Sequence, residues 1–544
     1  MQGLMMDVPL TITALMRHSE RLHGDQEIVS VTADAPLHRY RFADCFARAR
    51  RVANALERLG VTRGDRVATL AWNDYRHLEL YFGISCSGAI CHTVNPRLFA
   101  EQLVWIFNHA EDRVLFTDPM FLPLIEKLKP KLPMLEHVVV LTSAEAMPES
   151  SLPGLLCYET LVADSEARYD WPTLDEDAAA VLCYTSGTTG NPKGVLYSHR
   201  ALVLHAYAAG LPDALRITRD DTVLPVVPMF HVNAWGVPYL ATMLGIKLVM
   251  PGPKMGDGET LARLMDDEGV TAALGVPTVW QGLLNYLRSS GRRLKTLKNI
   301  AVGGSACPLA LMKAFEDEQG VWTLHAWGMT ETSPLGTANI PPANFAELPP
   351  EDQDFIRASQ GRPVFGVELK IVDGQGETLP WDGKAFGALK IRGPWVCRGY
   401  YRMDHSEAHD ADGWFDTGDV ATIDPRGYMT ITDRTKDVIK SGGEWISSIE
   451  LENIAMSHPQ VAAAAVIGVH HPKWDERPLL IIVPIAGERP APAELLAHFS
   501  GRVADWMIPD AVEFAEELPL TATGKVSKLT LRERYADYVL PQTA

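Results

Sequence analysis

Short apolar runs separated by segments of helical period constrain this chain more than any other feature. Arg66 to Trp72 reads as a strand and Tyr75 to Ser87 as a helix. Ala89 to Val94 follows as a strand, Phe99 to Ala110 as a helix, then Arg113 to Asp118 and Glu136 to Thr142 as strands. This rhythm implies a parallel sheet with helices on its faces. It returns at Val223 to Val227, Ile246 to Met250, Thr271 to Val276 and Ile300 to Gly303. Ligands of such sheets gather at the C-terminal strand ends. Tyr184 and Gly303 are two such ends, expected on one rim.

The stretch after Tyr184 gives that rim a chemistry. TSGTTGNPKG, Thr185 to Gly194, follows an apolar run from Ala178 and combines glycines, hydroxyls and one lysine. Glycines let backbone N–H groups curl around an anion, hydroxyls donate to it, and Lys193 adds positive charge. The Walker phosphate loop needs a glycine, four residues, then Gly-Lys-Ser/Thr. Neither Gly383-Lys384 nor Gly524-Lys525 meets that spacing. The loop therefore points to nucleotide chemistry of another kind.

From about Gly366 the pattern changes to short strands split by glycine-bearing turns, which reads as a small β-barrel or meander. After DRTKDVIKSGGEWIS, Asp433 to Ser447, strands and helices alternate again: helix Ser448 to Ser457, strands Val461 to Val469 and Leu479 to Pro484, helix Pro492 to Trp506, strand Ala511 to Phe514. The expected class is α/β. A large N-terminal domain of doubly wound sheets spans 1–435 and carries the small β-barrel at about 362–433. A hinge and a small mobile α/β domain at 436–544 follow. At 544 residues, more than one domain is expected, since single cores stop growing near ~250–300 residues.

A net charge of −18 argues against nucleic acid or an anionic membrane as partner, so any bound anion needs a local site. The seven cysteines show no CxxC and no paired spacing. They read as reduced core residues of a cytoplasmic protein. The N-terminus lacks the basic-then-apolar pattern of a signal peptide, and no apolar run is long enough to span a membrane.

Four further motifs join the glycine loop. WGMTE, Trp327 to Glu331, offers a hydroxyl for phosphate and a carboxylate for Mg²⁺, which takes one or two carboxylates beside phosphate oxygens. DTGD, Asp416 to Asp419, ends in an acid suited to ribose hydroxyls. DRTKD with SGGE, and the TGK that ends in Lys525, complete the set. In this order the five resemble the adenylate-forming enzymes: acyl-CoA synthetases, peptide-synthetase adenylation domains and beetle luciferases. The resemblance spans nearly the whole chain.

It implies ATP, Mg²⁺ and CoA as cofactors, a small carboxylic acid as substrate, and two half-reactions, with homodimer formation left open. Thr185, Ser186, Gly187, Thr188, Thr189, Gly190 and Lys193 would hold the outer phosphates. Gly304, Ser305 and Ala306 would flank adenine, within a nucleotide site continued by His325, Ala326, Trp327, Gly328 and Met329. Thr330 would contact the α-phosphate. Glu331, with Thr185, would ligate Mg²⁺. Asp419 and Arg434 would bind ribose, Lys436 would be the hinge, and Lys525 the adenylation lysine. Lys440, Gly442, Gly443, Glu444 and Trp445 would meet the CoA arm.

MFHVNAWG, Met229 to Gly236, matches the segment lining the acyl tunnel. His231 is its expected gate and catalytic neighbour. Trp235, Gly303, Trp327 and Gly328 are the expected pocket walls. Two indoles remove volume and argue against very long chains. No basic residue is evident near this pocket, so a second substrate carboxylate is not expected. NPRLF, PMFHVNAWG, GGSACP and KSGGEWIS are most similar to bacterial medium-chain fatty acyl-CoA ligases and 3-methylmercaptopropionate-CoA ligases. Trp445 stands where most of the wider family has Asn, as in that subgroup. Ala522 stands where a basic residue is frequent, leaving one phosphate contact in doubt. Short-to-medium fatty acids are the expected substrates, with 3-methylmercaptopropionate as the alternative. Loading of a carrier protein and a non-catalytic adenylate sensor are the remaining options. Retention of Lys525, Glu331 and Asp419 together weighs against a sensor.

Overall fold

Strand Ala179–Tyr184 is buried from Ala180 onward and carries the chain to the glycine loop. It lies parallel to Ile90–Thr93 on one side and antiparallel to Gly194–Ser198 on the other. These observations come from a computed structural model. It describes residues 1–544 apart from 2, 36, 186–190, 442, 443, 486, 489, 521–525 and 542–544, and apart from the side chains of 444 and 445.

Among the described residues this strand belongs to a seven-stranded sheet, parallel except for its edge strand Gly194–Ser198. A second sheet has nine strands. Its parallel centre runs through Glu27–Ser30, Lys247–Met250, Thr222–Pro225, Ala272–Gly275, Asn299–Val302 and Trp322–Gly328. Antiparallel strands close both of its edges. The architecture is α/β, as expected. Helix Tyr75–Ser87 shows why the sequence was legible. The Asp74 carboxylate accepts from the His77 N–H at its start, and Gly88 takes φ +91° at its end. Its side chains are buried all round, and its buried charges are paired, Arg76 with Asp34 and Glu159, and Glu79 with Arg48.

Of the barrel and the meander that the sequence allows, the structure has the meander. Glu368–Val372, Phe386–Arg392, Phe415–Ile423 and Met429–Arg434 pair antiparallel in chain order. The chain then enters a smaller mixed sheet built on Val461–His471 and Asp475–Pro484, with Ala511–Phe514 parallel to the latter. The expected helix Pro492 to Trp506 is shorter: it ends at Ala497, and Gly501 at φ +72° turns the chain away. At the junction the Asp433 carboxylate accepts from both the backbone N–H and the hydroxyl of Ser448, each at 2.6 Å. No helix among the described residues is long and apolar enough to cross a membrane.

Candidate active site

Two strand ends and the meander converge on one acid. Asp419 lies on Phe415–Ile423 opposite Arg434 in the ladder. Its Oδ1 pairs with Arg434 Nε at 2.7 Å, and its Oδ2 accepts from Trp327 Nε1 at 2.9 Å. The carboxylate is only 2% exposed, whereas the Arg434 side chain is 41% exposed. Arg434 thus retains donors at the surface while fixing the acid. Trp327 reaches Asp419 because Gly336 lies against its indole: a Cβ there would stand 2.5 Å from the ring. Gly328 is equally constrained, since its Cβ would meet the Pro334 carbonyl oxygen.

Thr330 and Glu331 sit on a tight turn, Thr330–Thr332, directly after this strand. Tyr197 donates its hydroxyl to the Thr330 carbonyl at 2.6 Å. Tyr400 donates to Glu331 Oε1 at 2.9 Å. Burial raises the Glu331 carboxyl above its ordinary range, against the opposing pull of the Tyr400 hydrogen bond and the charges of Arg434 and Lys193. Lys193 Nζ lies 4.8 Å from the Tyr400 ring centroid, so one tyrosine touches both the loop lysine and the acid. At the base of the glycine loop, Thr185 N–H donates to the Lys193 carbonyl at 2.9 Å, and Lys193 N–H donates to Thr185 Oγ1 at 3.2 Å.

Gly304, Ser305 and Ala306 form an exposed rim, with Gly304 at φ +81°. His325 lies beneath it. Burial lowers its pKa to about 4, opposed by hydrogen bonds to the carbonyls of Ala358, Ser359 and Ser305. His325 therefore supports the rim as a neutral core residue, while Ala326 and Met329 flank it on the same segment.

The segment expected to line the acyl pocket is shaped by its backbone. Val232, Asn233, Ala234 and Trp235 have φ of +47°, +53°, +48° and +57°, and Gly236 follows at +75°. Left-handed helix costs about 1–2 kcal/mol per L-residue, and a β-branched residue such as Val232 adopts it least readily. Val232, Asn233 and Ala234 are buried, whereas His231 and Trp235 are half-buried. A Cβ on Gly303 would stand 3.0 Å from both Trp235 Cη2 and the Ala326 carbonyl oxygen. The turn thus seats the Trp235 indole against the strand end next to Trp327. Arg97 amends one expectation. Its guanidinium lies 6.0 Å from the ring centroid of Phe230, beside His231, so a basic group does border this segment.

Ser186, Gly187, Thr188, Thr189, Gly190, Gly442, Gly443 and Lys525 lie outside the described residues. Glu444 and Trp445 form a short strand with Ile446 against Ile439–Ser441, where Trp445 faces Lys440 in the register. Lys436 and Lys440 are exposed. Sequence reasoning missed Tyr197, Tyr400 and Asn233. Tyr197 and Tyr400 are distant in the chain from the motif they hold. Asn233 had a local signal, because Asn tolerates left-handed backbone and stands two residues before a Trp-Gly pair.

The model for the AMP-binding enzyme matches residues 17–401, and that for the AMP-binding enzyme C-terminal domain matches 450–525. The chain belongs to the AMP-binding enzyme family. Among relatives in this family, a 3-methylmercaptopropionyl-CoA ligase of Ruegeria lacuscaerulensis is 53% identical over 537 residues, covering 99% of both chains. A medium-chain-fatty-acid–CoA ligase of Ectopseudomonas oleovorans is 51% identical over 540 residues, covering 99% of this chain and 98% of its own. A solved member, the anthranilate CoA ligase AuaEII in complex with anthranoyl-AMP, superposes with TM-score 0.86 at 26% identity. That likeness covers 97% of this chain and 98% of that one. The family fold thus extends through the meander and the smaller sheet.

Proposed function

We propose that the protein is an AMP-forming acid:CoA ligase acting on short-to-medium-chain fatty acids. The observation that carries the nucleotide half is the convergence of Trp327, Asp419 and Arg434 beside the Thr330–Glu331 turn. Asp419 and Arg434 hold ribose, Thr330 meets the α-phosphate, Thr185 and Lys193 hold the outer phosphates, and Gly304 to Ala306 flank adenine.

In the first half-reaction a carboxylate oxygen of the substrate bonds to the α-phosphorus, and the bond to the β-phosphate bridge breaks, releasing pyrophosphate. Two anions must meet, at about 4 kcal/mol of repulsion for unit charges 4 Å apart near a protein surface. Lys525, placed between them, converts that repulsion into transition-state stabilisation. The donor set fits Mg²⁺: one nearly buried carboxylate, Glu331, with the hydroxyl of Thr185, suits a metal held chiefly by phosphate and water. Among the described residues there is no cluster of three acids, histidines or cysteines that would suit a protein cage instead. Bound there, Mg²⁺ would offset charge on the departing pyrophosphate.

In the second half-reaction the CoA thiol attacks the acyl carbonyl and AMP leaves. Lys436 is the hinge on which a C-terminal domain, 436–544, withdraws Lys525 and brings Lys440 and the Gly442–Trp445 segment to the pantetheine arm. Trp235 and Gly303 bound the acyl pocket, with His231 at its mouth. The 53% identity to a 3-methylmercaptopropionyl-CoA ligase supports that thioether acid as the second candidate. It is as slender as a short fatty acid and would meet the same walls.

The test separates the two steps. Lys525→Ala is expected to abolish octanoyl-AMP formation from ATP and octanoate, yet to spare octanoyl-CoA formation from supplied octanoyl-AMP. Equal loss of both would refute the division of labour.

A further inference from the structure

The turn 232–235 runs left-handed through residues that resist it, so something outside the turn must hold it. The holding groups surround Asn233, which is 1% exposed. Its amide Nδ2 donates to the Tyr81 hydroxyl at 3.1 Å. Its Oδ1 faces the Cys183 thiol at 3.7 Å, and that sulfur lies 3.0 Å from Thr93 Oγ1. Cys183 and Thr93 belong to the adjacent strands Ala179–Tyr184 and Ile90–Thr93, so the amide is fastened to the strand that delivers the glycine loop. Tyr81 donates its own hydroxyl to the Met229 carbonyl. The Met229 N–H donates to Asn73 Oδ1 at 2.6 Å, and Asn73 Nδ2 reaches the carbonyls of Pro225 and Val227. The entry to the turn and its middle are thus tied to the same tyrosine.

Asn233 sits at φ +53°, ψ +44°. Asparagine is the ordinary side chain that visits this region most readily. Two residues later the chain must place Trp235 against Gly303. A turn relaxed to right-handed backbone would run in the opposite sense and carry the indole away. Gly236 fixes the exit: at φ +75° its Cβ position lies 2.6 Å from His205 Nδ1, so only glycine passes.

We propose that Asn233 is a specificity-positioning residue. Its amide, held between Tyr81 and Cys183, locks the left-handed turn that presses Trp235 against Gly303, and so sets the chain length the pocket accepts. This rests on the placement of Trp235 in the acyl pocket. The residue touches neither nucleotide nor acid and acts through the indole. A loosened turn frees the space the indole occupies, and preference moves to longer acids.

The test compares kcat/KM for hexanoate, octanoate and dodecanoate, with KM for ATP, in wild type, Asn233→Ala, Asn233→Gly, Tyr81→Phe, Trp235→Ala and the Asn233→Ala/Trp235→Ala double variant. Asn233→Ala is expected to raise the dodecanoate-to-hexanoate ratio by about tenfold or more, the scale on which a hydrophobic wall discriminates a methylene. KM for ATP stays unchanged. Tyr81→Phe moves the ratio in the same direction. The double variant moves it no further than Trp235→Ala, because both act through one side chain. A uniform loss across acids in Asn233→Ala, with Trp235→Ala still shifting the ratio, overturns the positioning role. An unchanged ratio in Trp235→Ala instead overturns the placement of the indole and the inference with it. Asn233→Gly tolerates the turn's backbone without the anchor and decides the matter if the alanine variant does not fold: a shifted ratio supports the anchor, and wild-type preference overturns it.

Discussion

In the proposed nucleotide site, Asp419 is held by side chains from regular elements, Trp327 at 2.9 Å and Arg434 at 2.7 Å. In the proposed acid pocket, Trp235 is held by strained backbone whose φ values stay positive from Val232 to Gly236. The first arrangement costs little conformational energy and suits a step common to all substrates. The second stores strain that its surroundings must offset, as is usual where a protein aims one side chain. Small changes in the ties of the second should alter which acid enters, while leaving the nucleotide chemistry in place.

The largest expected effect breaks the nucleotide side. Asp419→Ala removes the charged acceptor proposed for the two ribose hydroxyls and leaves the buried Trp327 N–H without its partner, each hydrogen bond to a charged group being worth about 1.5–3 kcal/mol. A fall of a hundredfold or more in kcat/KM for ATP is expected, with the ranking of acids unchanged. A reshuffled ranking would show that the two sides are not separable. Trp235→Ala is the mirror experiment: about a tenfold shift towards longer or bulkier acids with KM for ATP unaltered. Tyr400→Phe is expected to do less. It removes one hydrogen bond to a charged group, worth about 1.5–3 kcal/mol, and slows adenylate formation without altering acid preference. Retention of full adenylation would remove Tyr400 from the site.

A separate effect, on stability rather than on turnover, concerns pH. Burial lowers His325 to about 4 beneath the 304–306 rim and His205 to about 3 beside the 232–236 turn. Both folded values lie below the ordinary 6.5. The unfolded chain therefore takes up protons first as pH falls. Stability is fully present above about 6.5 and declines towards 4 and 3, by about 1.4 kcal/mol per pH unit for each histidine. Urea midpoints measured between pH 7 and 4 should fall. They should fall less steeply in His205→Asn, and an unchanged slope would contradict the neutral state assigned to His205.

The parallel sheets were legible because their strands are continuous apolar runs and their helices carry caps such as Asp74 and Gly88. The adenylate motifs were legible because each is short and local. The ties between motifs were not. Nothing in the sequence joins Trp327 to Asp419 across 92 residues, or Tyr197 to Thr330 across 133. The left-handed turn was hidden for another reason. Hydrophobic periodicity reports which face is buried, not the hand of the backbone, and HVNAW carries no glycine before Gly236 follows it. Arg97 escaped notice because its stacking on Phe230 joins segments that only the fold brings together.

The most direct test of the proposed ligase is AMP release with ATP and Mg²⁺ across straight-chain acids and 3-methylmercaptopropionate, with and without CoA. An acid:CoA ligase of this kind should release AMP only with CoA present, with a peak at short-to-medium chain length or at the thioether acid. Acid-dependent pyrophosphate exchange with no CoA-dependent turnover would contradict CoA as the acceptor, and silence across the panel would contradict the ligase itself.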